Sequence, residues 1–314
     1  MRRGFGCLGA GLLAIGALFV AGRLYDRPPL PPGRWLSAAG LTPRFEAIHG
    51  RRLRYVRAGG GPAVVLVHGF GSSIYTWKDV IPGLVSDHDV VALDLPGFGG
   101  SDQPADLAFP DLPRAVLGLM DRLGLSRATL VGNSMGGATV ALVAAVHPER
   151  VAALVLVDSA GFNRTPRERP AMLRFATSSA GSMLEWLPVR RLLVRLALRQ
   201  VFADGSRVSD ERVSEYLAAA QRPGTLASIR SLSESTRSDP GVVVEALRRI
   251  RAPTLVLWGR GDRWIPLAHA DRFVAAIPNS RKAVIDDCGH VPQEEKPDEV
   301  LRRLRDFLAT SARE

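Results

Sequence analysis

The sequence is poor in cysteine and has no metal-binding pattern. It contains two cysteines among 314 residues, which are too few for a disulfide framework. Cys7 lies in an apolar stretch at the start of the chain, and Cys288 lies close to the other end. Neither an H-E-x-x-H motif nor a pair of closely spaced cysteines is present, and there is no phosphate or dinucleotide loop. The pattern therefore predicts neither a structural disulfide nor a metal site.

Lysine is scarce as well, although the chain is strongly basic. The formal net charge is +10 with 41 basic residues, of which only Lys78, Lys282 and Lys296 are lysines. Most of the excess charge lies in residues 1–60, which hold ten arginines and two acidic residues. A nucleic-acid-binding domain clusters basic residues on a folded face, with aromatic residues or a reader motif. Neither feature is evident, so the sequence predicts no nucleic-acid partner.

One long apolar run stands near the start of the chain. Residues 4–22 carry no charge, and arginines flank both ends. This length is close to the roughly 20 residues that cross a bilayer core. A proline-rich linker follows at residues 28–32. We predict that residues 1–33 are an uncleaved membrane anchor and linker, with the folded domain outside the cytoplasm. A cleaved signal segment, which would give a secreted or periplasmic protein, is the alternative.

Short apolar runs rich in β-branched residues alternate with helical patterns through most of the chain. The runs that predict strands are residues 63–67, 90–95, 128–131, 151–157, 254–257 and 283–285. Residues 111–123 and 138–146 have helical patterns. Residues 45–49 and 53–57, separated by a glycine, predict an antiparallel hairpin at the sheet edge. The alternation predicts an α/β fold with a mostly parallel sheet and helices on both faces.

The alternation stops between about residues 161 and 239. This segment has several helix-like pieces and no convincing strand, so we predict a helical cap inserted into a domain that spans residues 34–314. Its middle, residues 183–202, is apolar apart from one glutamate and a set of arginines. Three of the arginines, spaced by four, share one helical face: Arg191, Arg195 and Arg199. That face is either the solvated side of an ordinary cap helix or an arginine-edged surface that contacts lipid.

A serine lies in a glycine-rich motif between a predicted strand and a predicted helix. Residues 131–137 read V-G-N-S-M-G-G, which places Ser134 inside G-x-S-x-G. A serine hydroxyl is a weak nucleophile in water, and a tight strand-to-helix turn exposes it beside a base and above a helix N-terminus. Gly132 and Gly136 lack the Cβ atoms that would collide in such a turn. Ser134 is therefore the candidate nucleophile.

Two later motifs supply the partners that such a serine needs. One strand-like run ends in a turn that presents Asp262, and the next ends in a loop that presents His290. The imidazole would act as base, and the carboxylate would fix its tautomer. Both lie just past the carboxyl ends of predicted strands, where open α/β sheets place their sites. Asp158, which follows the strand predicted at residues 151–157, is the rival for the acid.

Five ordered motifs carry a resemblance to the α/β-hydrolase superfamily over about residues 45–310. They are His68-Gly-Phe-Gly71, Asp94-Leu-Pro-Gly-Phe-Gly-Gly-Ser-Asp102, the turn around Ser134, Gly259-Arg-Gly-Asp262 and Gly289-His290. The chain resembles the branch of capped serine esterases, monoacylglycerol lipases and carbon–carbon bond hydrolases. The resemblance implies that Ser134, Asp262 and His290 are catalytic. It also implies an oxyanion hole of the Phe70 and Met135 backbone N–H groups, and chemistry without a cofactor.

The resemblance implies a hydrolase of carboxylic esters. The predicted partners are an apolar or lipid-like small-molecule ester and, through residues 4–22, a membrane. One alternative is a carbon–carbon bond hydrolase that acts on ring-cleavage diketones, whose turn around the serine is closely similar. Phe70 and Val291 depart from that group, which tends to have more glycine and proline at the first position and tryptophan at the second. A cofactor-free haloperoxidase or perhydrolase uses the same triad. A non-catalytic binding module with this fold is the alternative outside enzymes.

Overall fold

The computed structural model describes residues 20, 22, 24–162, 190–238 and 241–311. These residues contain one eight-stranded sheet. Its strands are β1 (Arg44–Ile48), β2 (Arg51–Gly59), β3 (Ala63–Val67), β4 (Asp89–Leu93), β5 (Ala128–Asn133), β6 (Val151–Val157), β7 (Thr254–Gly259) and β8 (Ser280–Ile285). They lie in the spatial order β1-β2-β4-β3-β5-β6-β7-β8. The β1–β2 and β2–β4 pairs are antiparallel, and all the other pairs are parallel.

The central strands are buried on both faces, which explains their sequence pattern. Every residue of β4 and β5 is buried, as is every residue of β3 except the first. Strands covered on both faces are continuous apolar runs rather than alternating ones. The strands predicted at residues 63–67 and 151–157 have the bounds of β3 and β6. The predicted α/β fold with a mostly parallel sheet is confirmed.

Helices cover both faces of the sheet. The helices bounded in the described part of the chain are α1 (Arg34–Ala38), α2 (Ile81–Leu84), α3 (Asp111–Arg122), α4 (Met135–Val146), α5 (Arg190–Val201), α6 (Asp210–Ala220), α7 (Thr225–Ser238), α8 (Val242–Leu247), α9 (Ala268–Ala276), α10 (Pro292–Glu295) and α11 (Pro297–Ser311). One hydrophobic core includes side chains of α3, α4, α8 and α9, and a second includes side chains of α1, α2 and α11. Val65 and Val67 belong to the first core, whereas Val64 and Leu66 belong to the second. Since successive residues of a strand point to opposite faces, the two cores lie on opposite sides of the sheet.

Helix α4 begins three residues earlier than its sequence pattern predicts. The prediction starts at residue 138, whereas the helix starts at Met135. Gly136 and Gly137 form the first turn, and glycine is a weak helix former. The earlier start places the N-terminus of α4 directly after Ser134.

Four of the described helices, α5 to α8, lie between β6 and β7, and the first three, α5 to α7, are called the cap helices below. Residues 163–189, which belong to the predicted cap insertion, lie outside the described residues. Arg191 and Arg195 of α5 both form ion pairs with Asp210 of α6. Part of the predicted arginine face therefore contacts a neighbouring cap helix. The boundaries of the cap insertion and of the domain stay predictions.

The chain that precedes α1 packs on the cap helices. The carboxylate of Asp26 accepts a hydrogen bond from the N–H of Arg191 over 2.5 Å, and its carbonyl accepts one from the side chain of Gln221 over 2.8 Å. The N–H of Leu30 donates to the hydroxyl of Ser214 over 2.8 Å. These contacts hold the segment before α1 against α5, α6 and the residue that follows α6.

The predicted localisation needs correction. The sequence predicts a membrane anchor at residues 4–22 and a folded domain outside the cytoplasm, but no helix in the described part of the chain is long and apolar enough to cross a bilayer. A span needs one continuous apolar helix, because backbone groups find no water inside the bilayer. Apart from Val20 and Gly22, the predicted span lies outside the described residues. On this finding, the predicted localisation is wrong.

Candidate active site

Ser134 lies in a strained turn between β5 and α4. Its backbone angles are φ 53° and ψ −117°, a combination that non-glycine residues rarely adopt. The N–H of Ser134 donates to the carbonyl of Val157 over 2.9 Å, and the N–H of Ala160 donates to the carbonyl of Ser134 over 2.9 Å. The end of β6 and the loop after it therefore hold the serine at the carboxyl edge of the sheet.

Two glycines make this turn sterically possible. A Cβ on Gly132 would lie 2.4 Å from the carbonyl oxygen of Gly136. A Cβ on Gly136 would lie 2.3 Å from the carbonyl oxygen of Val67. In both cases the obstacle is backbone, which a side-chain rotation cannot relieve. These contacts agree with the steric role that the sequence predicts for the two glycines.

The structure brings together the three side chains selected from the sequence. The Oγ of Ser134 lies 2.9 Å from Nε2 of His290, and Nδ1 of that ring lies 2.7 Å from Oδ2 of Asp262. His290 and Asp262 are 4% and 7% exposed. With Nδ1–H donating to the carboxylate, Nε2 is left to accept from the serine hydroxyl. The arrangement is suited to moving the serine proton to the imidazole.

The turn after β7 fixes the carboxylate of Asp262. Its Oδ1 accepts hydrogen bonds from the N–H groups of Trp264 and Ile265, over 2.7 and 3.0 Å. Its Oδ2 is therefore free to face His290.

Residues on two other elements hold the loop of His290. The N–H of His290 donates to the carbonyl of Val201, the last residue of α5, over 2.8 Å. The amide of Asn133 donates to the carbonyl of His290 and to that of Val157, each over 3.1 Å. No motif in the sequence assigns a role to Asn133. Its only signal is its position directly before the serine in the G-x-S-x-G motif.

The two predicted oxyanion donors lie close to Ser134. Met135 is the first residue of α4, and Phe70 lies in the loop after β3. Neither backbone N–H donates a hydrogen bond to another residue in the described ranges. The loop approaches the serine closely, since a Cβ on Gly69 would lie 3.1 Å from the Cβ of Ser134. Both N–H groups are thus available to a substrate oxygen, a role that stays a proposal.

His68 holds the loop after β3 in place. The N–H of Leu95 donates to its Nε2 over 3.0 Å, so Nδ1 carries the proton and donates to the carbonyl of Gly69 over 2.7 Å. Burial lowers the pKa of His68, and the charge of Asp94 opposes this only in part. The ring is therefore neutral, and its two hydrogen bonds tie the loop after β3 to Leu95.

A cavity of about 240 Å³ opens in front of Ser134 and His290. Helix α5 contributes five apolar side chains to its wall: Leu193, Val194, Ala197, Leu198 and Val201. Tyr216 and Ala220 of α6 and Trp264 after β7 complete much of the rest. No Lys, Arg, Asp or Glu from the described residues lines this cavity. The site is therefore an apolar space whose polar groups are concentrated around Ser134.

A buried polar cluster ties α6 to the segment that follows His290. One carboxylate oxygen of Glu294 accepts hydrogen bonds from the hydroxyls of Tyr216 and Thr76, over 2.5 and 2.6 Å. The other accepts one from Nε of Arg212 over 3.1 Å. Burial raises the pKa of Glu294, and the charge of Arg212 opposes this. We call Glu294, Tyr216, Thr76 and Arg212 the latch cluster; no sequence pattern signals it.

Asp158 lies beside Asp262 and His290. A carboxylate oxygen from Asp158, one from Asp262 and a ring nitrogen of His290 lie within 4.8 Å of one another. These donor types are able to bind a metal ion. Here, however, Asp262 and the ring already share a hydrogen bond. The predicted preference for Asp262 over Asp158 as the partner of His290 agrees with this geometry.

Comparison with known proteins gives relatives over most of the chain. Residues 62–297 match the family model for the alpha/beta hydrolase fold. A 2-hydroxy-6-oxo-6-phenylhexa-2,4-dienoate hydrolase from Comamonas testosteroni is 34% identical over 290 residues, which are 86% of this chain and 97% of the relative.

Two solved structures are also similar to this chain. A membrane phospholipase A, described as a bacterial virulence factor, is 26% identical with a TM-score of 0.72, and the match covers 99% of each chain. The 2-hydroxy-6-oxo-6-phenylhexa-2,4-dienoate hydrolase from Rhodococcus sp. strain RHA1 is 26% identical with a TM-score of 0.76. That match covers 86% of this chain and 99% of the other. These likenesses extend well beyond the motif around the serine.

Proposed function

The chain belongs to the α/β-hydrolase family, and from that premise we propose that it is a serine hydrolase that cleaves uncharged, apolar carboxylic esters. One observation carries the proposal. Ser134, His290 and Asp262 form a continuous hydrogen-bonded series with distances of 2.9 and 2.7 Å, at the floor of an apolar cavity. This is the geometry that activates a serine hydroxyl for acyl transfer.

In the proposed reaction, Oγ of Ser134 attacks the ester carbonyl carbon while Nε2 of His290 takes its proton. The carbonyl oxygen becomes negative and is stabilised by the N–H groups of Phe70 and Met135. The carbon–oxygen bond to the alcohol then breaks, and His290 returns the proton to the departing alcohol. Water attacks the acyl-serine by the same steps and releases the carboxylic acid. Asp262 stabilises the imidazolium that forms in each half.

The cavity supports an uncharged acyl group. Leu193, Val194 and Ala197 of α5 face the space above the serine, and burying a methylene group there contributes about 0.8 kcal/mol. An ionised carboxylate in such a space needs a cationic partner, because an unpaired buried charge costs several kcal/mol. The described lining residues contain no lysine or arginine. The likeness to a membrane phospholipase A over 99% of both chains further supports a lipid-like ester.

A carbon–carbon bond hydrolase is the second candidate, and the relatives favour it. The Comamonas protein named as a dienoate hydrolase is 34% identical and is covered over 97% of its length, a closer match in sequence than the phospholipase at 26%. The same serine, histidine and aspartate would serve this reaction. A dienoate carries a carboxylate, however. The described lining residues of the cavity include no lysine or arginine to pair with that charge, which weighs against such a substrate.

A paired substrate assay tests the proposal. Purified protein is given p-nitrophenyl butyrate and, separately, 2-hydroxy-6-oxo-6-phenylhexa-2,4-dienoate. We expect kcat/KM to be at least tenfold higher for the ester. Ser134→Ala should lower ester turnover by at least about 1,000-fold, whereas the control Ser206→Ala, on an exposed turn, should leave it unchanged.

The outcomes separate the candidates. Faster turnover of the dienoate would replace the ester proposal with carbon–carbon bond hydrolysis. Full ester turnover by the folded Ser134→Ala variant would remove the serine mechanism altogether. A fluorophosphonate probe that labels the wild type but not Ser134→Ala would support an activated serine for either substrate.

A further inference from the structure

Asp158 has a buried carboxyl group in which one oxygen accepts a hydrogen bond and the other has no donor among the described residues. It follows the last residue of β6, is 0% exposed, and has a left-handed backbone angle φ of 44°. Its Oδ1 accepts a hydrogen bond from the N–H of Gly259 over 3.0 Å. Its Oδ2 receives none from any described N–H or O–H group. A buried oxygen of this kind requires a partner.

The nearest polar groups are those of the candidate triad. Oxygens of Asp158 and Asp262 and a ring nitrogen of His290 lie within 4.8 Å of one another. Two carboxylates this close and this buried cannot both be ionised, because the repulsion between them is not screened by water. The pair therefore holds one proton, and the hydrogen bonds decide which carboxyl group carries it.

The distribution of donors places the proton on Asp158. Asp262 accepts three hydrogen bonds, from the N–H groups of Trp264 and Ile265 and from Nδ1 of His290. Asp158 accepts only one, from Gly259. Hydrogen bonds to a carboxylate favour its ionised form, so Asp158, which accepts fewer of them, is the better place for the proton. The oxygen of Asp158 that lacks a donor is the one able to carry the proton.

We propose that Asp158 is a neutral carboxylic acid that donates a hydrogen bond to Asp262 and so positions the carboxylate that holds His290. This inference rests on the proposed function, since it assigns a positioning residue to the same triad. A neutral donor orients Asp262 without adding a second negative charge beside the ring. Two negative charges would hold the proton on the imidazole and slow its return to the leaving group.

The surroundings of Asp158 agree with a neutral group. Burial raises the pKa of Asp158 well above its usual value of 3.8, and the charges of Asp262 and Glu295 act in the same direction. The hydrogen bond from Gly259 is the opposing influence. Burial also raises the pKa of the neighbouring Cys288 thiol, so that group adds no charge. Among the described residues, the charged or titratable groups nearest Asp158 are therefore Asp262, His290, Glu295 and a neutral thiol.

Two substitutions distinguish the role of Asp158 as a hydrogen-bond donor from an effect of its charge. Asp158→Asn keeps a neutral donor and an acceptor, and asparagine tolerates the left-handed backbone. We expect kcat/KM for p-nitrophenyl butyrate within about threefold of wild type and an unchanged acid limb of the pH–rate profile. Asp158→Ala removes the donor, and a hydrogen bond to a charged group of this kind corresponds to a loss of about tenfold to 100-fold. Asp286→Asn is the matched control, because Asp286 is exposed and pairs with Arg260.

The pH profile distinguishes the two charge states of Asp158. If Asp158 were ionised, Asp158→Asn would remove a negative charge beside His290, and the acid limb would move to lower pH. That shift would overturn the proposal, as would wild-type activity in a folded Asp158→Ala variant.

Infrared spectroscopy supplies a readout that does not depend on turnover. We expect the wild type at pH 7 to show a protonated carboxyl C=O band that Asp158→Asn removes and Asp286→Asn retains. A wild-type spectrum without any protonated carboxyl band overturns the proposal whether or not the variants fold. Absence of ester turnover or probe labelling in the wild type would instead remove the proposed function and leave the infrared result on Asp158 intact.

Discussion

The indole ring of Trp264 is stacked on the imidazole of His290, with ring centroids 5.7 Å apart and planes inclined by 24°. The backbone N–H of Trp264 also donates to Oδ1 of Asp262 over 2.7 Å. Trp264 therefore contacts both His290 and Asp262, the first through its side chain and the second through its backbone. Its side chain also forms part of the cavity wall.

Removal of the Trp264 ring should slow turnover more than it weakens binding. An aromatic contact contributes about 0.5–1.5 kcal/mol, so Trp264→Ala should lower kcat for p-nitrophenyl butyrate by about twofold to tenfold. Trp264→Phe keeps a stacking ring and should stay near wild type. Steady-state kinetics at pH 8 give kcat and KM for both variants. Equal kcat values for Trp264→Ala and the wild type would show that the stacking does not orient His290.

The acyl chain should be accommodated beside α5. Each methylene buried in the cavity contributes about 0.8 kcal/mol, so kcat/KM should rise about fourfold per added methylene until the cavity is full. Ala197 lines the cavity, and Ala197→Trp should move the optimum to shorter acyl chains. A series of p-nitrophenyl esters from acetate to decanoate measures the optimum. Leu196→Trp is the control, because Leu196 is exposed; an identical change in both variants would place the acyl chain elsewhere.

The latch cluster should stabilise the cap helices. Arg212 and Glu294 have side chains 14% and 2% exposed, and loss of one partner from a buried ion pair costs about 3–5 kcal/mol. Arg212→Ala should therefore lower the free energy of unfolding in urea by that amount and speed amide exchange in α6. Arg195→Ala breaks the pair with Asp210, which is 56% exposed, and should cost about 0–1 kcal/mol. A similar loss of unfolding free energy in both variants would contradict the prediction that the latch cluster stabilises the cap helices.

Stability should depend on pH through Asp158. The folded state raises the pKa of this carboxyl group above its usual value of 3.8, so it holds a proton that the unfolded chain releases as pH rises. The wild type therefore loses stability above about pH 4, by up to about 1.4 kcal/mol per pH unit, until the folded carboxyl group itself ionises. Asp158→Asn lacks this dependence. Urea unfolding of both proteins at pH 5, 6, 7 and 8 measures the free energy of unfolding. This free energy should become increasingly larger for Asp158→Asn than for the wild type as pH rises. The same pH dependence in both proteins would contradict the prediction.

The elements that could be predicted from the sequence are those with a local signature. The bounds of β3 and β6 follow from unbroken apolar runs, and Ser134, Asp262 and His290 each follow a strand end. The structure brings these three side chains within hydrogen-bond distance. Their assignment as catalytic residues stays a proposal, and Ser134→Ala tests it directly for the serine.

The contacts that support the candidate active site have no local signature in the sequence. Tyr216 and Glu294 are 78 residues apart in sequence, and neither lies in a motif. Asp158 was recognised only as a rival acid, because the sequence does not show that β6 and β7 are neighbours in the sheet. Contacts of this kind depend on strand order and on cap packing. The start of α4 was misplaced for a different reason, since glycines conceal helical periodicity.

The distance along the chain between Ser134 and His290 has a consequence for biosynthesis. The two residues are 156 positions apart, and His290 is supplied by the loop that follows β8, the last strand along the described part of the chain. A nascent chain can form β5, its strained turn and the serine long before any base is present to activate it. Reactivity therefore arises late in translation, when nearly all of the sheet has been synthesised. Under the proposed mechanism, truncated products that end before residue 290 would carry the serine without the base that activates it.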